Sequence, residues 1–324
     1  MWKIGDVEIS NRLVAAPLAG ISNPVYRNIA HQYGAGLVVS EMISDKALHY
    51  QSKKTFEMCR IVPGEHPVSL QLFGGDPVTM GEASRYLTEH TDCDIIDINM
   101  GCPVTKVLKA HAGSYLLQYP ELASDIVKAV KDNTDKPVTV KIRAGYDFQH
   151  ICCDRFAKKM EQAGADAIAI HGRTRSQMYT GKSNLDYIRM VKEAVCVPVI
   201  GNGDITTIED AERMFEETHV DAIMIGRGLI GRPFFLSQLH AHFACQEYTE
   251  PSYEEKLALC YSYARDLCAY ETERIGIHQM RSIAPWFIGG LPFAAKYKVK
   301  MCNVSSLEEL QDVLNEYKEV LENL

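Results

Sequence analysis

Short apolar runs rich in β-branched residues recur along roughly the first 230 residues, each closed by glycine, proline or a polar side chain. They are VAAPLAG from Val14, GLVVSEM from Gly36, VSLQLFG from Val68 and IIDINMGC from Ile95. VTVKIRAG from Val138, AIAIHGRT from Ala167, PVIGNGD from Pro198 and AIMIGRG from Ala222 complete the set. Helical periodicity fills the intervals, as at Met80 to Glu89 and Glu209 to Glu217, the latter opening on TTIE with Thr206 and Glu209 at capping-box spacing. Eight strands alternating with helices predict a (β/α)8 TIM barrel, with an open doubly wound sheet as the alternative. The barrel reading puts unusual polar residues at strand ends, and Gln71, Asn99, Lys141, His171, Asn202 and Arg227 close their runs.

After Phe234 the strand signal stops. QEYTEPSYEEK reads as a connection, and from Tyr253 the pattern is helical, ending in an amphipathic helix capped at Ser305 or Ser306. The expected organisation is a barrel over 1–245 and a small helical domain over 246–324.

Composition narrows the class. With 324 residues, 46% hydrophobic and 23% charged, the protein has ample material for a core, and its net charge is −8. No run of about 18 apolar residues and no signal-peptide pattern is present, so a cytoplasmic protein is expected. The ten cysteines include no C-x-x-C pair and read as reduced, mostly packing residues. His240, His242 and Cys245 cannot share a metal from one helix, because positions i and i+2 face apart; no metal is expected.

GRGLIG, Gly226 to Gly231, has dinucleotide-loop spacing, but it follows the eighth strand, and no later strand supplies a ribose-binding acid. With Asn202, Gly203 and Asp204 after the seventh strand, and Arg227 as a charged fork, it reads better as a phosphate site. Glycines that merely permit tight turns remain the plainer account. Lys141 alternates to the same side as Arg143; it either faces an anion or electron-rich ring, or lies solvated beyond the apolar zone. His171 is catalytic or structural on this reading, and Arg173 and Arg175 face the barrel mouth. Arg274, Arg281, Lys296, Lys298 and Lys300 occur without an intervening acid, interleaved with Trp286, Phe287 and Phe293. That stretch is a nucleic-acid surface or an ordinary solvated helix face.

The order AAPLAG, VSEM, QLFG, DINMGCPVTKV, AGSYLLQYP, VKIRAG, IHGRTR, IGNGDI and MIGRG, with MRSIAPWFIGGLPFAAKYK in the tail, resembles bacterial tRNA-dihydrouridine synthases, most closely the B-type branch. The resemblance implies an FMN-bearing barrel, a helical tRNA-binding domain and NADPH-driven reduction of uracil in tRNA. It places Pro17, Leu18 and Ala19 against the flavin, Gln71 on its pyrimidine edge, and Lys141 and His171 at its ring. Asn202, Gly203, Asp204, Gly226 and Arg227 hold its phosphate. Asn99 orients the uracil, with Arg173 as a second contact and Lys106, Arg143, Arg175 and Arg281 completing the substrate set. Two positions depart from the pattern: Leu18 stands where methionine is common, and Tyr115 where a small residue is usual.

Reducing the uracil 5,6 bond needs hydride at C6 and a proton at C5. A thiol with an ordinary pKa of about 8.5 suits the second task, which assigns Cys102 as proton donor. The competing expectations are a flavoenzyme of free pyrimidines, of the dihydroorotate-oxidising type, a non-redox phosphate-binding barrel, and an idle RNA-binding protein. The expected partner is tRNA alone, with no membrane and no second protein, the enzyme acting as a monomer.

Overall fold

The structure, a computed structural model, describes residues 2–323. It divides into two compact units at Gly226/Arg227, upstream of the change in sequence pattern near residue 245. The first unit opens with a hairpin, β1 (Trp2–Ile4) and β2 (Val7–Ile9), turned at Gly5, whose φ of +57° suits a residue without a side chain.

Eight parallel strands follow: β3 (Leu13–Ala15), β4 (Leu37–Ser44), β5 (Val68–Phe73), β6 (Ile95–Met100), β7 (Val138–Arg143), β8 (Ala167–His171), β9 (Val199–Asn202) and β10 (Ala222–Ile225). They pair in chain order, and β10 closes on β3, so the expected TIM barrel is the observed fold. Their register sets the interior. Alternate residues point inward, and strands of even and odd rank contribute successive layers.

Leu37, Ile95, Ala167 and Ala222, the first residues of alternate strands, lie in one buried cluster with Ile4 and Ile9. The hairpin, which the sequence pattern did not suggest, therefore fills this end of the barrel. Two residues further along the same strands come Val39, Asp97, Ala169 and Met224, and on the odd strands Gln71, Lys141 and Asn202. The interior thus runs from apolar at the strand starts to polar at the strand ends. Asp97 is the single acid in a layer otherwise apolar.

Helices flank the strands. Pro24–Gln32, Pro77–His90 and Leu185–Ala194 are N-capped by Asn23, Asp76 and Asn184. The helix Ile208–Thr218 has its capping box at Thr207 and Asp210, one residue beyond the pair expected from TTIE. Thr206 is still used, its hydroxyl donating to Asp210 Oδ2 at 2.9 Å.

The second unit is helical: Phe234–Phe243, Tyr253–Tyr270, Glu273–Phe287, Ala294–Met301 and Leu307–Glu322. Ser306, one of the two expected caps, accepts from Glu309 N at 3.1 Å. Gly276 lets two helices approach closely, since a Cβ there would lie 2.9 Å from the Cys268 backbone. Tyr297 and Tyr317 stack with centroids 4.2 Å apart. Among the described residues no helix is long and apolar enough to cross a membrane.

One buried ion pair steadies the loop after β3. Arg27 Nε meets Glu65 Oε2 at 2.6 Å, and its Nη1 donates to Ser22 O at 3.0 Å. Both side chains are at most 1% exposed. Glu65→Leu strands the guanidinium in a dry site and lowers the unfolding free energy by about 3–5 kcal/mol. Urea titration reads this as a lower midpoint, and Arg27→Met combined with Glu65→Leu loses less than Glu65→Leu alone.

Candidate functional site

The polar ends of the strands meet at the C-terminal mouth of the barrel. Pro17 and Leu18 are half-buried and Ala19 is exposed on the turn after β3. Ser22 ties this turn, donating to Ala16 O at 3.0 Å and accepting from Leu18 N at 2.9 Å. Gly226 packs against Ala16 and Leu18 at ordinary contact distance, a Cβ there falling 3.6 Å from each.

Across the mouth, adjacent strands align Asn99 with Lys141 and His171 with Asn202. Lys141 Nζ donates to Asn202 Oδ1 at 3.2 Å, while Asn202 Nδ2 donates to Met224 O at 2.7 Å. The carbonyl below fixes the amide so that its oxygen faces the ammonium. Burial pushes the Lys141 pKa down to about 8, and the Arg143 guanidinium adds to this; Asp97 and Cys102 oppose it. A half-buried ammonium made this labile favours an anionic or electron-rich neighbour.

His171 and the loops after β8 and β9 form a second group. Arg173, 2% exposed, forks onto Asp204 with both bonds at 2.8 Å. Its Nε donates to Thr180 O at 3.1 Å and its Nη2 to Gly181 O at 2.6 Å. Nη1 also lies 3.4 Å from His171 Nε2. Arg173 therefore ties Asp204 and the Thr180 and Gly181 carbonyls to the strand end that carries His171. Gly203 has φ +136°, and a Cβ there would strike Ser183 Oγ at 2.3 Å, so the loop backbone can pack only as glycine.

Arg143 is likewise buried, and it donates to Gly101 O, Thr174 O and Met178 O, each at 2.8 Å. It clamps the loops after β6 and β8 together. Arg175 stacks on the Tyr146 ring with 5.1 Å to the centroid. Its Nε is buried without a hydrogen-bond partner, a group suited to an incoming acceptor. Gln71 lies below the mouth with no solvent-facing surface, its amide engaged by Asp97 and Asn99. Gln71 thereby supports Asn99 from below, with one N–H of its own amide left over by these two bonds.

Cys102 sits at the end of β6 in a loop held on three sides. Asn99 Oδ1 accepts from Cys102 N at 2.9 Å, and Arg143 holds the preceding carbonyl. Ser114, fully buried, binds the Cys102 carbonyl through N at 3.0 Å and Oγ at 2.9 Å. Gly113, at φ +62°, lies so close that a Cβ would sit 2.8 Å from that carbonyl. Burial raises the Cys102 thiol pKa, while a backbone hydrogen bond at Val104 and the charges of Arg143 and Lys141 act in the other direction. The thiol stays protonated at neutral pH, with cations near enough to receive a thiolate.

Lys106 is exposed on the short helix Thr105–Lys109 beyond this loop. Tyr115, the departure from the family pattern, stacks between His111 and Tyr119 at 4.7 and 4.6 Å. In the second unit, Arg227 opens a short 3-10 turn, and Arg281 Nε donates to Val304 O at 2.7 Å. Trp286 and Phe293 are exposed there, and Lys300 pairs with Glu316. Sequence reasoning missed Asp97, Thr139 and Ser114. Asp97 carried the one available signal, a second inward polar residue two positions before Asn99 in IIDINMGC.

Comparison with known proteins bears on this site. The family model described as dihydrouridine synthase (Dus) matches residues 13–323. The chain is 39% identical over 289 residues to tRNA-dihydrouridine synthase B of Vibrio vulnificus, covering 88% of this chain and 89% of that one. It is 36% identical over 300 residues to the probable tRNA-dihydrouridine synthase of Rickettsia bellii, covering 92% of each. Among solved structures, TcOYE with pHBA aligns with a TM-score of 0.58 at 15% identity, over 79% of this chain and 94% of that one. A variant of NCR from Zymomonas mobilis gives 0.55 at 18%, over 79% and 93%. At these identities the structural likeness speaks for the barrel alone.

The Lys141 environment has a measurable consequence. Its folded pKa of about 8 lies below its ordinary 10.5, so between these values the unfolded chain holds a proton that the ligand-free folded protein has released. Folding stability contributed by this group therefore rises with pH across that window, by at most about 1.4 kcal/mol per unit. Subtracting the unfolding free energy of Lys141→Met from that of the native protein gives a difference that is flat below about pH 7 and climbs above about pH 8. A difference flat throughout contradicts the assignment.

Proposed function

The chain belongs to the dihydrouridine synthase family, and from that premise we propose that it reduces the 5,6 double bond of uridines in tRNA, with FMN in the barrel mouth and NADPH as reductant. The observation that carries the reading is Cys102, a protonated thiol on a loop fixed by Asn99, Arg143 and Ser114 beside Lys141.

The residues present fit a flavin phosphate ester. Lys141 and His171 would face the flavin ring; Asn202 and the Gly203–Asp204 backbone supply donors for the phosphate, and the Asp204 carboxylate is already neutralised by Arg173. Gly226 and the Arg227 that follows it in the chain complete the phosphate set, while Pro17, Leu18 and Ala19 supply an apolar wall. When bound, the flavin supplies hydride to C6 of uracil. Cys102 gives its S–H proton to C5 from the opposite face: the S–H bond breaks as the C5–H bond forms. Lys141 and Arg143 stabilise the thiolate until solvent reprotonates it. Asn99 orients the base. Arg143 and Arg173 act through the loops they hold, and Arg175 and Lys106 meet RNA phosphate at the rim.

The uracil reaches such a site only when flipped from its stack, at a cost of a few kcal/mol. In the helical unit Arg274 shares its helix with the exposed Trp286, and Lys296 and Lys298 lie on the helix that follows the exposed Phe293, a composition suited to phosphate and base contact. The same reading makes the protein a cytoplasmic monomer whose macromolecular partner is tRNA.

Cys102→Ala keeps the flavin absorbance of the holoenzyme and lowers dihydrouridine formation on unmodified tRNA by at least about 100-fold, the usual scale of a lost general acid. Unchanged turnover overturns the role of Cys102, and activity on free uracil but not on tRNA overturns the substrate. Affinity for tRNA falls steeply and log-linearly with salt, as filter binding across a salt series measures.

A further inference from the structure

Three side chains of the barrel interior form a hydrogen-bond relay whose direction is imposed from its upper end. At the lower end stands Asp97, whose carboxyl pKa burial pushes up while the Thr139 and Gln71 hydrogen bonds and the Lys141 charge act against this; both of its oxygens accept. Its Oδ2 takes an N–H from Gln71 Nε2 at 2.6 Å, and its Oδ1 takes the Thr139 hydroxyl at 2.5 Å. At the upper end stand two backbone N–H groups, which only donate. Gly101 and Cys102 reach Asn99 Oδ1 at 3.1 and 2.9 Å. Between the ends Asn99 Nδ2 donates to Gln71 Oε1 at 2.8 Å.

A carboxamide has one donating and one accepting end, so the upper terminus admits a single orientation of each amide. Asp97, Gln71 and Asn99 are 4%, 0% and 7% exposed, which leaves no water to compensate a reversed amide. The valences of Asn99 can then be counted. Both lone pairs of its oxygen are taken and one of its two N–H groups is used, so one N–H remains.

We propose that Asp97 is a positioning residue that sets substrate specificity: through Gln71 it holds Asn99 so that this side chain meets the target base as a hydrogen-bond donor only. The inference rests on the function proposed above. A donor-only side chain selects a carbonyl oxygen. In uracil the carbon that receives the Cys102 proton, C5, adjoins the C4 carbonyl; in cytosine the same carbon adjoins an amino group, itself a donor. Asn99 is bonded to the Cys102 amide and so stands beside that part of the ring. The relay therefore accepts uracil and opposes cytosine, which would bring donor against donor. It also joins base recognition to the placement of the proton donor, because one amide oxygen serves the Cys102 backbone while the nitrogen of the same amide serves the base.

An exchange of the two end residues tests this. Asn99→Asp puts acceptors on both sides of Gln71, so one hydrogen bond is lost whichever way its amide turns. Adding Asp97→Asn restores a consistent relay running in reverse. The new amide nitrogen at position 97 donates to Gln71, Gln71 donates to the new carboxylate at position 99, and that carboxylate still accepts from Gly101 and Cys102. Asn99→Asp alone is therefore destabilised and speeds alkylation of Cys102 by iodoacetamide, followed by peptide mass spectrometry. The double variant recovers both, with a coupling of about tenfold in the unfolding constant, mid-range for hydrogen-bonded neighbours. It does not recover uridine reduction in tRNA, because position 99 now presents lone pairs to a carbonyl. In a Gln71→Leu background the coupling disappears.

Absence of recovery overturns the relay, and coupling that survives Gln71→Leu reduces it to direct repulsion between two carboxylates. Full uridine turnover by the double variant overturns the donor role of Asn99. If the native holoenzyme reduces no uridine in tRNA, the functional reading itself has failed, while stability and alkylation still decide the relay.

Discussion

Closing eight parallel strands into a barrel removes every sheet edge and forces half of all strand residues into one shared interior. That constraint governs the rest of the molecule. Inward positions must fill space at the strand starts, where Ile4 and Ile9 join Leu37, Ile95, Ala167 and Ala222. They are released from that duty at the strand ends, where Asn99, Lys141, His171 and Asn202 stand. The polarity gradient is thus a product of register: the same alternation that builds the core delivers the chemistry, and a residue such as Asp97 acquires its role from the layer it occupies.

The loops beyond the strands obey a different rule. Irregular backbone leaves carbonyls without ladder partners, and buried carbonyls need donors. Arg143 and Arg173 meet that need. Three loop carbonyls converge on the first, and two carbonyls with the Asp204 carboxylate on the second. A rigid mouth is the result, with one arginine bracing the loop that carries Cys102 and another beside His171.

Much of this was legible in the sequence. The eight strands showed because their inward and outward faces alternate, and Cys102 stood out because glycine and proline flank it where a buried strand ends. The hairpin β1–β2 escaped because two three-residue strands carry too little periodicity to register. The duties of Arg143 and Arg173 escaped for another reason. Apart from Asp204 their main partners are backbone carbonyls up to 42 residues away, and carbonyls leave no mark in a residue pattern. The capping box was displaced by one residue because TTIED offers two threonines and two acids at equal spacing, and only the backbone decides between them.

The hairpin carries a consequence for how the protein comes into being. Ile4 and Ile9 are made early, yet they share their cluster with Ala222 and Met224 of the last strand. At about 5–20 residues per second, a ribosome needs on the order of 10–40 seconds to produce the intervening chain. Through that interval the plug has no closed barrel to fill, and β3 waits for the partner that seals it. Birth order and packing order are therefore opposed, and the nascent barrel stays open to chaperones, or to a neighbouring nascent chain, until its final strand emerges.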